Sequence, residues 1–257
     1  RHVRAPTLWG ALDAARKRSI VINVPSTYPA APLNGILVSG FVAIDLAKAT
    51  YPPSLVPELE RAGYQLDVDA TTAKVSLDAF AKALTESLDA REAVIWRLMT
   101  EETWDLFVGV ITETDRMHHY LWAALEDPNH PQHAFFLDVY RRIDAWLGKV
   151  YDWYAGRGLF MLMSDHGFCG IRHEVSLNHW LASEGYLSFT ADPPMSHHDL
   201  APSTRAFALD PARIYIHTKE RYPRGSVATR DEYDRLRREL RDRLAALTID
   251  GTRVIKR

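Results

Sequence analysis

Five consecutive apolar residues, Leu159 to Met163, run without alternation into Ser164, Asp165, His166 and Gly167. A run of that length with no polar face predicts a strand buried on both sides, as in parallel sheets. Gly167 lets the backbone turn at the exit. In open α/β sheets, ligands collect where strands end at their carboxyl edge. A carboxylate and an imidazole placed there suit a hard or borderline divalent cation. The segment from Asp105 to Thr112 repeats the pattern, as a second buried-strand candidate followed by Asp115 and His119.

Asp115 and His119 are four residues apart, so a helix puts them on one face, one turn apart. From there two side chains can grip one ion at about 2.0–2.2 Å. His118 lies about 100° around the same helix and is expected to be structural. If the two strands share a parallel sheet, both exits face the same edge. Two carboxylates and two imidazoles then converge. That is ligand chemistry for a pair of divalent metals about 3.5–4 Å apart, which clamp the attacking and leaving oxygens of a phosphoryl transfer.

The remaining chain alternates between extended and helical patterns. Ser19 to Val24 is rich in β-branched residues and reads as a strand. Prolines 25, 29 and 32 make the next connection irregular, and Ile36 to Val42 is extended again. Ser76 to Met99 carries Leu77, Phe80, Leu84, Leu88, Val94 and Leu98 at helical spacing. Asp115 to Leu125, Phe135 to Tyr154, Leu177 to Glu184 and Arg230 to Leu247 are further helices, with a short one at Thr7 to Arg18. Arg213 to His217 reads as a strand. This order predicts an α/β fold whose mostly parallel sheet is covered on both faces.

Composition narrows the function classes. The 257 residues carry a net charge of −2, which gives no electrostatic basis for binding a nucleic acid polymer or an anionic membrane. No apolar run reaches the roughly 18 residues of a membrane span. The single cysteine, Cys169, excludes an internal disulfide and a Cys-rich zinc site. It suits a reducing compartment, hence a cytoplasmic location, and reads as a buried, inert thiol. His130, His133, His173, His179, His197 and His198 read as surface residues, with the His197–His198 pair as an alternative source of a ligand. The tryptophans at 9, 122, 146 and 180 read as core.

The segments FVGVITETDRMHHYLW, FMLMSDHGF, SLNHWLASEGYL, STRAFAL and ARIYIH, with the upstream APTLWGALDAARKRSIVINVPSTYPAAPLNGILVSGF, resemble the type I phosphodiesterase/nucleotide pyrophosphatase branch of the alkaline phosphatase superfamily. The resemblance implies one alkaline phosphatase-like domain over residues 1–257, a three-layer α/β/α sandwich incomplete at both ends. It implies two divalent metals, usually zinc with manganese as the other option, and small phosphate-ester or nucleotide substrates. Asp115 and His119 then serve one metal, and Asp165 and His166 the other. The family's nucleophilic Thr or Ser lies upstream of the segment matching Ala5 to Trp9, and a further His ligand lies downstream of Arg257. No residue of this chain matches the nucleophile, so the chain alone is expected to be an inactive fragment of a phosphohydrolase. A phosphomutase, phosphotransferase or sulfatase on the same scaffold, or a non-catalytic metal-binding derivative, are the alternatives.

Overall fold

A computed structural model describes residues 5–210 and 213–255. The chain divides into two compact units, Arg1–Gly170 and Ile171–Arg257. The first unit opens with α1 (Leu8–Ala14), whose N-cap Thr7 accepts a hydrogen bond from Gly10 N at 3.1 Å. Strands β1 (Ser19–Val24), β2 (Gly35–Ser39) and β3 (Thr50–Tyr51) follow, then α2 (Val56–Arg61), α3 (Thr72–Val75), α4 (Leu77–Glu101), β4 (Leu106–Gly109), α5 (Glu113–Glu126) and α6 (His133–Tyr154).

The sheet runs β3-β2-β1-β4, with β1 parallel to both β2 and β4 and β3 antiparallel at one edge. This is the expected α/β architecture with a mostly parallel sheet. Ile20, Ile22, Ile36 and Val38 face α2 and α4 and pack on Leu59, Val94, Ile95 and Leu98. Val21 and Leu37 alternate to the other face and are also buried, so both faces are covered. The expected strand at 105–112 is confirmed over Leu106–Gly109. It is half-buried and ends in an exposed glycine, because it closes one edge of the sheet.

Helix α4 joins two cores. Its second half covers the sheet, while Phe80, Leu84 and Leu88 in its first half meet Met117, Leu121 and Ala124 of α5 and Phe136, Val139 and Ile143 of α6. Its start is set by Ser76, which caps Ala79 N at 3.2 Å. The boundaries expected for α4, α5 and α6 hold to within two residues.

One expectation fails. Leu159 to Met163 forms no strand, and Leu159 and Met163 are 83% and 77% exposed. Apolar composition supplies strand propensity, but a strand exists only through backbone pairing. Among the described residues none pairs with this segment.

The second unit holds α7 (Leu177–Ser183), the antiparallel pair β5 (Ala206–Asp210) and β6 (Arg213–Ile216), α8 (Arg230–Ala246), and the short pair β7 (Thr248–Ile249) and β8 (Thr252–Arg253). Ser176 caps α7, and Gly185 follows it at a φ of 78° that favours glycine. Leu181, Phe207, Leu236 and Leu240 centre its core. Strand β5 was not expected from the sequence.

Leu84 is fully buried where α4 meets α5 and α6. Leu84→Ala is expected to cost about 2–5 kcal/mol, read as a lower urea midpoint with an unchanged slope. An unchanged midpoint would show that the α4–α5–α6 core does not limit stability.

Candidate metal centre

The site is built at the carboxyl edge of β1 and β4. Asn23, fully buried, sits at a φ of 64° where the β1–β2 register shifts between Ile22 and Val24. Asparagine tolerates that left-handed conformation better than most residues. The bulge aims its Nδ2 at Val110 O and Thr112 Oγ1, both at 3.0 Å. Gly40 passes so close that an added Cβ would lie 2.1 Å from Asn23 O, which requires glycine there. Thr112 precedes α5 without capping it, its hydroxyl being engaged by Asn23. Glu113 and Asp115 fill the first turn, where carboxylates suit the helix dipole.

The four expected donors all lie in the first unit, and they approach in pairs. Asp115 Oδ1 is 3.6 Å from His119 Nε2 and 3.8 Å from His166 Nε2, and His166 Nε2 is 3.8 Å from Asp165 Oδ1. Neighbouring donors on a tetrahedral ion with bonds of about 2.0–2.2 Å stand roughly 3.3–3.6 Å apart. The pair distances are therefore close to that spacing, and the donor chemistry fits a borderline divalent ion. No group of three or more His, Cys, Asp or Glu side chains among the described residues closes around one point to hold a metal. Asp165, 84% exposed, is the least constrained of the four.

Tautomers follow from the carbonyl partners. His166 Nδ1 lies 3.1 Å from Gly167 O. A carbonyl only accepts, so Nδ1 donates to it, and the ring turns Nε2 toward Asp115. Both ring nitrogens of His118 are engaged. Its Nδ1 donates to Thr114 O at 2.5 Å and its Nε2 accepts from Tyr140 OH at 3.0 Å, and burial holds its pKa below the ordinary value. It is structural, as expected.

Three features of the site were not anticipated. Phe168 stacks on His118 with ring centroids 4.6 Å apart and also meets His119, His166 and Trp122. It thereby fastens the segment carrying Asp165 and His166 to α5, although that segment is not a strand exit. Arg116 forms a two-pronged pair with Asp67, places Nη1 3.7 Å from Asp115 Oδ2, and lies 4.1 Å from the Phe41 ring. The third is a buried ion pair. Arg91 and Glu113 are 1% and 0% exposed, with Nε to Oε1 at 2.8 Å. Ser87 Oγ also donates to Oε1 at 2.8 Å, while Arg91 Nη1 donates to Tyr64 OH at 2.6 Å and Nη2 to Gln65 O at 3.0 Å.

The secondary histidines divide. His173, His179 and His198 are exposed, as expected. The side chain of His197 lies outside the described residues. His130 and His133 are half-buried rather than on the surface, because each bonds the backbone where α5 connects to α6. Cys169 is exposed rather than buried, since the segment that carries it is not packed into a sheet.

Burial pushes the Tyr64 hydroxyl up to about 12, against the opposing pull of Arg91. A tyrosine raised on folding contributes stability below its unfolded pKa of about 10 and loses it as pH climbs toward the folded value. Denaturant midpoints are therefore expected to fall between about pH 10 and pH 12, and Tyr64→Phe is expected to flatten that fall. An equal fall in both proteins would rule out Tyr64 as its source.

A sequence model of the family "Type I phosphodiesterase / nucleotide pyrophosphatase" matches residues 1–256. No curated protein and no solved structure matches the chain.

Proposed function

The chain belongs to the type I phosphodiesterase/nucleotide pyrophosphatase family, and from that premise we propose that it carries the metal-binding part of a phosphohydrolase acting on small phosphate esters or nucleotides. The observation that supports this reading is the approach of Asp115 Oδ1 to the Nε2 atoms of His119 and His166. Asp115, His119, Asp165 and His166 are the residues that would hold divalent ions, with zinc favoured by the imidazole share of the donors. A bound divalent ion supplies Lewis-acid charge against the phosphate oxygens.

The protein's own groups prepare the site. Arg116 faces Asp115 Oδ2, so the negative charge left for a cation is centred on Oδ1. His166 Nδ1 donates to Gly167 O, which orients the ring so that Nε2 faces Asp115. The hydrogen bonds at both ring nitrogens of His118 remove that imidazole from competition. Arg116 and the metal charge together suit an anionic substrate.

Calorimetric titration of the chain with zinc or manganese is expected to show binding that Asp115→Ala and His166→Ala each weaken by at least about 100-fold, since even residues behind the ligands cost 10–100-fold. Hydrolysis of a nitrophenyl phosphodiester by the full-length protein is expected to vanish with Asp165→Ala. Metal titrations indistinguishable between wild type and both alanine variants would overturn the proposal. Binding without hydrolysis in the full-length protein would favour the non-catalytic reading.

A further inference from the structure

We infer that the buried Arg91–Glu113 pair is a positioning device for Asp115, an inference that rests on the metal-site reading above. Arg91 occupies the α4 stripe between Leu88 and Val94 and is buried there. A buried ion pair is an inefficient source of stability, because desolvation offsets most of its attraction and well-packed apolar replacements often do as well or better. Its geometry is what distinguishes it. Glu113 stands two residues before Asp115, in the same first turn of α5. Its Oε2 is buried without a hydrogen-bond partner among the described residues, so its hold on α4 runs through Oε1 alone.

The surrounding contacts close on the same short segment. Asn23 holds positions 110 and 112, Arg91 and Ser87 hold Glu113, and Asp67 holds Arg116. Arg91 also reaches Tyr64 and Gln65, so two guanidinium forks link residues 64–67 to the side chain of Glu113 and to Arg116, on either side of Asp115. Asp115 lies between these anchors, and its closest charged partners stand 3.6–3.8 Å away. Its carboxylate is thus oriented by its neighbours' bonds, and it is left able to accept a ligand. A planar fork that spans three acceptors at once is a property of arginine that lysine lacks.

The test replaces the pair with apolar residues in the double variant Arg91→Met/Glu113→Leu. Its thermal midpoint is expected to match or exceed that of wild type, while its zinc or manganese affinity falls about 10–100-fold and the visible spectrum of the cobalt-loaded site changes. Glu113→Gln, which keeps an acceptor at Oε1, is expected to retain most of the affinity. Should the double variant fail to fold, Arg91→Lys carries the test, with binding weakened about 10-fold at full helical content. Wild-type affinity in the folded double variant, or in Arg91→Lys where that variant stands in, overturns the inference while leaving the metal site intact. A wild-type chain that binds neither metal overturns both.

Discussion

At the centre of the first unit, α4 carries one apolar stripe across two different cores, and an arginine interrupts that stripe at the junction. Below Arg91 the helix packs on α5 and α6, and beyond it on the sheet. A guanidinium buried there needs a carboxylate, because an isolated charge in such surroundings costs several kcal/mol. Glu113 meets that need from the first turn of α5. The start of α5 is therefore held to α4 by a buried charge pair. Tyr64 and Gln65 satisfy the remaining arms of the fork, which brings the loop after α2 into the same arrangement.

The edge of the sheet is organised by backbone rather than by charge. The bulge at Asn23 breaks the β1–β2 register and turns a side-chain amide toward the residues after β4. Bulges of this kind recur beside functional sites because they re-aim a side chain. Gly40 passes close beside this bulge, where a Cβ would meet Asn23 O. The consequence reaches Asp115, whose two oxygens then face opposite environments, Oδ2 toward Arg116 and Oδ1 toward the imidazoles.

Much of this was legible in the sequence, for reasons specific to each element. The β-branched run Ser19 to Val24 is a strand at those residues, and α4 follows its apolar spacing. The interval of six between Leu88 and Val94 was the one irregularity in that spacing, and Arg91 lies within it. A buried charge could have been suspected there, but nothing in the order of residues names Glu113 as its partner. Phe168 was hidden for a similar reason, since its contacts are with a helix some fifty residues earlier. Leu159 to Met163 departs from its apolar pattern because apolar content reports affinity for a core and carries no information about a pairing partner.

By itself the sequence determined which residue types are available for coordination and that Asp115 and His119 share a helix face, because helical periodicity is local. It also determined the α/β class, through the alternation of strand and helix patterns. Only the tertiary structure decided that His166 reaches Asp115 from an unpaired segment stapled by Phe168, and that Arg91 and Glu113 brace the turn between them. Those relations join residues far apart in the chain, and their energies come from desolvation and ring packing that exist only once the elements have met.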